Sequence, residues 1–311
     1  MSLVDIIIPV KNTPFHYLTN AIDSVLSQTV NDYQIVIVND GSSGIYKKKL
    51  VKYISHLNCN RILLIHNSGE SGPSAARNFG IRSSSSKYVT FLDSDDYWFP
   101  NKLEIQLKIM EDGNSYSLIH SDVEYINGNG STIASTSSIP KQDFNKLTGR
   151  DLIIYLINRN RIEILSVMVT RDSLIKTGCF DEHFLRVEDW DLWLRYAISG
   201  EPMYYHGRVL ASYRKYQSSI SHDYETVHQF KEKLFQKTFQ ALEKSDKKPI
   251  SELFKKNIFR KLYKLTGRRL YNVKNYKKAL SYFKLSAQFG FEYDCLRRQL
   301  KCMLRLWIVK V

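Results

Sequence analysis

The 311-residue chain has no uninterrupted apolar run near the roughly 18 residues that a membrane-spanning helix needs. Its first residues, Met-Ser-Leu-Val-Asp-Ile-Ile-Ile-Pro, lack the basic segment and long apolar stretch of a signal peptide. We therefore expect them to form a first β-strand. Of the four cysteines, none has the spacing of zinc ligands or of a redox pair. This pattern favours reduced thiols in a cytoplasmic protein.

A dinucleotide-binding fingerprint is also missing. The first apolar run is followed by Lys-Asn-Thr-Pro-Phe and not by G-x-G-x-x-G. No glycine is therefore placed to let a pyrophosphate approach the next helix. The turn at residues 69–72, Gly-Glu-Ser-Gly, is a weak substitute after a later strand. These features disfavour a dinucleotide-dependent oxidoreductase.

Most of the chain carries no net charge. Residues 1–222 hold 23 Lys+Arg and 23 Asp+Glu, whereas residues 223–311 hold 22 bases and 8 acids. The whole net charge of +14 therefore lies in the last 89 residues. Such asymmetry suggests a separate segment that meets an anionic surface. We predict a catalytic domain over 1–222 and a basic helical region over 223–311.

What the chain does contain is an alternation of strands and helices. Four apolar runs, at 3–10, 34–38, 61–65 and 88–92, predict buried strands, and stretches with helical periodicity separate them. This order predicts an α/β domain with a mostly parallel sheet and helices on both faces. Polar clusters follow the strands at their carboxyl ends, where ligands bind in such folds.

The fourth apolar run leads directly into a cluster of carboxylates, Asp93, Asp95 and Asp96. Residues two apart in an extended chain point the same way, so Asp93 and Asp95 can face one site. Two carboxylates at short range repel each other unless a cation or hydrogen-bond donors lie between them. Mg²⁺ often binds one or two carboxylates together with substrate phosphates. The alternative for this motif taken alone is a solvated turn with a helix-capping Asp.

A second acidic motif, Glu188-Asp189-Trp190-Asp191, begins a predicted helix with one apolar face. Acidic residues stabilise the first turn of a helix through capping and the macrodipole. Taken alone, this motif is explained by that structural role.

Five motifs in order resemble family 2 glycosyltransferases, which have the nucleotide-sugar-binding GT-A fold. They are Ile-Pro-Val-Lys-Asn at 8–12, Ser-Gln-Thr at 27–29, Val-Asn-Asp-Gly-Ser at 38–42, Gly-Pro-Ser-Ala-Ala-Arg-Asn-Phe-Gly at 72–80 and Phe-Leu-Asp-Ser-Asp-Asp at 91–96. The resemblance extends from residue 3 to about residue 221. It implies transfer of a sugar from a nucleotide donor.

The resemblance assigns the nucleotide-sugar site to Pro9, Val10, Lys11, Asn12, Asp40, Asn67, Arg77, Asp93 and Ser94. In it, Asp40 accepts the uracil N–H, and Arg77 offers its guanidinium to the base or phosphate. A solvated helix arginine is the alternative for Arg77. Asp93 contacts ribose or metal, and Asp95 binds the Mn²⁺ or Mg²⁺ that holds the diphosphate.

The resemblance also gives the second motif a role. Asp189 is the general base of an inverting transfer, and Glu188 contacts the acceptor hydroxyl. Trp190 either stacks on a sugar ring or belongs to the core. One departure from the family is Tyr216, where many relatives carry a histidine that can contact metal or diphosphate. His222 lies nearby in sequence without a secure alignment.

The last residues, 296–311, mix bases with Leu, Met, Trp and Ile, as an interfacial amphipathic helix does. A solvated helical bundle is the alternative. Nucleic-acid binding is disfavoured because no recognition motif accompanies the charge. We expect a bacterial enzyme of O-antigen or capsule type, acting on a glycan or polyprenyl-diphosphate-linked acceptor at the inner face of the plasma membrane. The rival function is a non-catalytic sugar- or lipid-binding relative.

Overall fold

The computed structural model describes residues 2–69, 71–135, 144–215, 223–245, 250–290 and 292–308. The chain divides into two compact units, Met1–Tyr216 and Gln217–Val311. The predicted domain boundary, after residue 222, lies at the end of a stretch outside the described residues. Tyr216 and His222 lie in the same stretch.

The described residues of the first unit form nine strands: β1 (Val4–Val10), β2 (Tyr33–Asn39), β3 (Ile62–His66), β4 (Tyr88–Phe91), β5 (Tyr97–Trp98), β6 (Leu118–Ile126), β7 (Thr132–Ser135), β8 (Met168–Thr170) and β9 (Met203–Arg214). They make one sheet with the order β3-β2-β1-β4-β8-β6-β9-β5, and β7 pairs with β6. Strands β3, β2, β1 and β4 are mutually parallel, as are β6 and β9. The predicted α/β class is confirmed.

Helices cover this sheet. They are α1 (Phe15–Leu26), α2 (Gly44–Leu57), α3 (Pro73–Arg82), α4 (Lys102–Met110), α5 (Gly149–Asn158), α6 (Arg171–Lys176) and α7 (Glu188–Ser199). Strand β1 shows why the sequence dictates this arrangement, because nearly every residue in it is buried. A strand covered on both faces is apolar at nearly every position, not only at alternate positions. Helix α3 packs closely on it: a Cβ on Gly80 would lie 2.7 Å from the Ile7 side chain.

The second unit is helical, with α8 (Tyr224–Glu243), α9 (Glu252–Asn272), α10 (Tyr276–Gln288) and α11 (Tyr293–Ile308). Its buried cluster includes Leu270, Ala279, Phe283, Cys295 and Cys302. Gly267 permits close packing of α9 on α10, since a Cβ there would lie 2.8 Å from the Phe283 ring. No helix among the described residues combines the length and the apolar character needed to cross a bilayer.

Candidate functional site

The ends of β2 and β3 meet at Asp40, whose buried carboxylate is heavily hydrogen-bonded. Asn67 Nδ2 donates to Oδ1 at 2.8 Å, and Ser71 Oγ and Gly72 N donate to Oδ2 at 2.8 and 2.9 Å. A carboxylate offers about four acceptor positions, and described residues fill three of them. The role of Asp40 toward a uracil N–H stays a prediction, and one acceptor position is left for it.

The turn after β1 is fixed to the same edge of the sheet. Lys11 Nζ donates to Ser71 Oγ at 2.7 Å. Asn12 has a left-handed backbone (φ 51°), its N–H donates to Ser42 Oγ, and its Oδ1 accepts from Ser43 N. Asparagine tolerates that backbone region better than most residues. The predicted residues Lys11 and Asn12 therefore lie beside Asp40 and Asn67, while Pro9 and Val10 end β1.

The aspartate loop after β4 is tied to β9. Asp96 is buried, and its Oδ1 accepts from Arg214 N at 2.7 Å, while Arg214 Nε donates to the Asp95 carbonyl at 2.8 Å. Ser94 Oγ lies 2.6 Å from Thr13 Oγ1. Burial first, and then the charges of Asp95 and Asp93, raise the pKa of Asp96 well above its usual range. The loop is thus a rigid cluster of three carboxyl groups.

The oxygen donors of this loop suit a hard divalent cation. Asp93 and Asp95 both act electrostatically on Asp96, and the buried Oδ2 of Asp96 has no hydrogen-bond partner among the described residues. Among the described residues, no three His, Cys, Asp or Glu side chains are arranged so that together they could hold a metal ion. Mg²⁺ sites commonly take only one or two carboxylates and complete their shell with water and substrate phosphates. The carboxylates of Asp93 and Asp95 are thus of the type that Mg²⁺ or Mn²⁺ binds, and their role as metal ligands stays a prediction.

Arg77 joins the two acidic motifs. It is 3% exposed, its Nη2 donates to Asp93 Oδ1 at 2.7 Å, and its Nη1 donates to Glu188 Oε1 at 2.8 Å. Burial opposes its charge, but Asp93 and Glu188 outweigh that effect and raise the pKa of Arg77. The alternative of a solvated helix arginine is wrong, and the role of Arg77 toward the base or phosphate stays a prediction. The guanidinium is not solvated on the helix surface, and its Nη atoms bind carboxylates.

The second acidic motif, residues 188–191, forms the first turn of α7 and follows a residue with a strained backbone. Val187, just before it, has a left-handed backbone (φ 57°), which is a rare conformation for a β-branched residue. Asp189 accepts from Asn160 Nδ2 at Oδ2 (2.8 Å) and from the Trp190 backbone N–H at Oδ1 (2.7 Å). Asp191 is buried and pairs with Arg195. Asp191 is therefore structural, whereas Asp189 has no cationic partner among the described residues.

The charge state of Asp189 suits a base near neutral pH. Burial, followed by the charges of Glu188 and Glu163, raises the pKa of Asp189 to about 7. The hydrogen bonds from Asn160 and Trp190 N–H oppose the rise. A general base is most effective when its pKa lies near the working pH.

Trp190 belongs to the core. It is buried, and its Nε1 donates to the Leu156 carbonyl at 2.8 Å. Stacking of this indole on a sugar ring, one of the two expectations, does not fit that position. Sequence reasoning assigned no role to Asn160, Glu163 or Arg214. For Glu163 the available signal was an acidic residue directly before the largely apolar stretch 164–169.

Comparison with known proteins agrees with this geometry. The profile of "Glycosyl transferase family 2" matches residues 5–173. The Escherichia coli protein named UDP-Glc:alpha-D-GlcNAc-diphosphoundecaprenol beta-1,3-glucosyltransferase WfgD is 32% identical over 220 residues, which are 70% of this chain and 79% of that protein. An uncharacterized glycosyltransferase of Rickettsia bellii is 36% identical over 197 residues, which are 61% of this chain but only 26% of that protein. Some relatives are thus much longer than the matched region.

Solved structures show the same fold. S. aureus TarS 1–349 in complex with UDP-GlcNAc superposes with a TM-score of 0.61 at 15% identity, over 97% of this chain and 89% of that one. Mannosyltransferase PcManGT from Pyrobaculum calidifontis, in complex with GDP-Man and Mn²⁺, gives 0.63 at 14% identity, over 98% and 80%. The sequence profile covers more than half of the chain, and the predicted family and fold are confirmed. The chain belongs to glycosyl transferase family 2 and has the GT-A fold.

Proposed function

We propose that the enzyme transfers a sugar from a UDP-activated donor to a lipid-linked glycan acceptor with inversion at the anomeric carbon. The observation that carries this proposal is the Arg77 bridge, which binds Asp93 of the donor motif and Glu188 beside Asp189. The two motifs therefore lie within the span of one guanidinium. The UDP-GlcNAc complex of TarS and the UDP-Glc specificity and lipid-linked acceptor in the name of WfgD support the donor and acceptor classes.

The chemistry follows from the residues. Asp189 accepts the proton of an acceptor hydroxyl while that oxygen bonds to the anomeric carbon from the side opposite the diphosphate. The bond from carbon to the diphosphate oxygen breaks, and its electron pair leaves with the diphosphate. An α-linked donor thus gives a β-linked product. When bound at Asp93 and Asp95, Mn²⁺ or Mg²⁺ stabilises the negative charge on the leaving diphosphate.

A non-catalytic sugar- or lipid-binding relative is the alternative function. Arg77 joins Asp93 to Glu188, the neighbour of Asp189, and Asp189 has the pKa of an effective base. A purely binding relative has no need of such a base. Hydrolysis of the donor without acceptor would separate the two functions.

The first prediction concerns the donor and the metal. UDP-sugars with Mn²⁺ should raise the melting temperature by about 5–10 °C at a hundredfold excess over Kd, because ligands stabilise the state that they bind. Asp95→Ala should abolish the Mn²⁺-dependent part of the rise and leave the melting temperature of the free protein unchanged. Differential scanning fluorimetry measures the melting temperature of the wild type and of Asp95→Ala. The ligands are UDP-Glc, UDP-GlcNAc, UDP-Gal and GDP-Man, each with and without chelator.

Two results would contradict that prediction. Stabilisation by GDP-Man alone would replace UDP with GDP as the donor nucleotide. An undiminished Mn²⁺ effect in Asp95→Ala would place the metal on other residues.

The second unit offers a surface for the membrane that would hold such an acceptor. On α11, Cys295 and Cys302 face the core of the unit. At 100° per residue, a second face carries exposed apolar side chains and a third carries bases. The exposed apolar residues are Tyr293, Leu296, Leu300, Met303, Leu304 and Trp307. The basic residues beside them are Arg297, Arg298, Lys301 and Arg305.

We propose an anionic lipid bilayer as the occupant of this apolar face. The bases lie on one flank of it, and residues 223–311 have a net charge of +14. A second copy of the same unit would bring two such charges together, whereas each Lys or Arg near an anionic bilayer contributes ~1 kcal/mol to binding. We place the enzyme at the inner face of the plasma membrane, in O-antigen or capsule synthesis.

The second prediction tests this surface. Leu300→Asp, at a side chain that is 57% exposed, should weaken sedimentation with phosphatidylglycerol vesicles about tenfold, since an apolar side chain at the interface is lost. Leu253→Asp on α9, at a leucine that is 70% exposed, is the matched control and should bind normally. Equal loss in both variants, or no binding by the wild type at low salt, would argue for a protein partner instead.

A further inference from the structure

Three tryptophans fix one segment of the chain. Trp190 Nε1 donates to Leu156 O, Trp193 Nε1 to Ile162 O and Trp98 Nε1 to Leu165 O, at 2.8, 3.0 and 3.0 Å. All three indoles are buried. An indole N–H can only donate, and when buried it usually finds an acceptor. Residues 156–165, from the last turn of α5 toward β8, are therefore held at three points by side chains of α7 and β5.

This segment places two polar side chains near Asp189, the proposed base. Asn160 Nδ2 donates to Asp189 Oδ2 at 2.8 Å, and Asn160 Oδ1 accepts from Ile162 N at 3.3 Å. The second contact fixes which end of the amide faces Asp189. Glu163, held by the Tyr125 hydroxyl at 2.7 Å, lies close enough to act on the charge of Asp189.

We infer that Asn160 is a positioning residue, which orients the Asp189 carboxylate for proton transfer and stabilises its charged form. The inference rests on the proposed role of Asp189 as the base. With Trp190 N–H on Oδ1 and Asn160 on Oδ2, two fixed donors set the plane of the carboxylate. Each oxygen keeps an acceptor position for the substrate hydroxyl.

A neutral donor suits this position better than a cation. Hydrogen bonds to an ionised carboxylate favour the charged form, and a nearby Arg or Lys favours it much more strongly. A strongly depressed pKa would make Asp189 a poor proton acceptor at neutral pH. Asn160 offsets part of the effect of burial, Glu188 and Glu163, and leaves the base effective near pH 7.

The third prediction is a shift in the pH profile. The charged groups acting on Asp189 are Glu188 on its own helix and Glu163 on the facing segment. Asn160→Ala should lower kcat about tenfold and move the acid limb of kcat about one pH unit higher, since a hydrogen bond to the charged form is lost. Asn160→Asp should move the limb further, because it adds a like charge. The KM for the nucleotide sugar should change little in either variant.

The matched control is Asn145→Ala. Asn145 also exchanges two hydrogen bonds, but with the backbone of Tyr205. Its loss should lower the melting temperature and leave the acid limb in place. An unshifted limb in Asn160→Ala, together with an inactive Asp189→Asn, would overturn the positioning role alone. An active Asp189→Asn would instead overturn the proposed base.

Discussion

Asp189→Asn is expected to slow sugar transfer by ~10²–10⁴-fold while nucleotide-sugar affinity stays near that of the wild type. Asparagine keeps the size of the side chain and can still accept the Trp190 N–H at its carbonyl oxygen. It cannot take a proton from the acceptor hydroxyl at neutral pH. Steady-state transfer kinetics and donor titration measure the two quantities independently. In the wild type, activity should fall as the pH drops through about 7, because Asp189 is then protonated.

The control is Asp191→Asn, two residues along the same helix turn. It removes the same charge from the helix N-terminus but breaks the ion pair with Arg195. We expect this variant to lose stability and to keep most of its catalytic rate when folded. Should donor affinity fall in parallel with the rate in Asp189→Asn, Asp189 would be a structural cap. An α-linked product from an α-linked donor would exclude the single displacement.

Arg77→Met should destabilise the enzyme by about 3–5 kcal/mol, because removing one partner of a buried ion pair leaves an uncompensated charge. Here it leaves two, on Asp93 and Glu188, whose side chains are largely buried. Urea unfolding monitored by circular dichroism gives the free energy of unfolding. Adding Glu188→Gln to Arg77→Met should recover part of the loss, since one unpaired charge is then absent.

Arg82→Met on the same helix is the matched control. Arg82 is 64% exposed and lies 3.7 Å from Glu182, so its pair is solvated. Such surface pairs contribute about 0–1 kcal/mol. If the two variants unfold at the same urea concentration, the Arg77 bridge adds nothing to stability, and the two motifs must be held together by other contacts.

The features that could be predicted from the sequence are those that depend on a local pattern of residues. The nearly continuous apolar runs predicted β1, β2 and β4, because a strand buried on both faces needs no alternation of apolar and polar residues. The position of the aspartates at the carboxyl end of β4 could be predicted from the direction of the strand alone. Periodicity also showed that Trp190 shares the buried face of its helix. Whether that face lines the core or a sugar site depends on its neighbour, the Leu156 carbonyl, which the pattern cannot supply.

Partners that are distant in sequence were not predictable. Arg77 and Glu188 are 111 residues apart, and Asn160 and Asp189 are 29 apart. The residues near Arg77 in the sequence do not distinguish a buried bridge from a surface arginine, because its partners Asp93 and Glu188 belong to other parts of the fold. Similarly, Asn160 lies in a connection without periodicity. Its position depends on indoles from α7 and β5.

The placement of the tryptophans also gives the enzyme two built-in optical reporters. Three of its four indoles are buried around residues 156–165, and the fourth, Trp307, is 66% exposed on α11. Indoles in apolar surroundings emit at shorter wavelengths than indoles in water. The blue part of the emission therefore reports on the surroundings of the base, and the red part reports on α11. Trp307→Phe separates the two signals, so that events in each unit can be followed without a label.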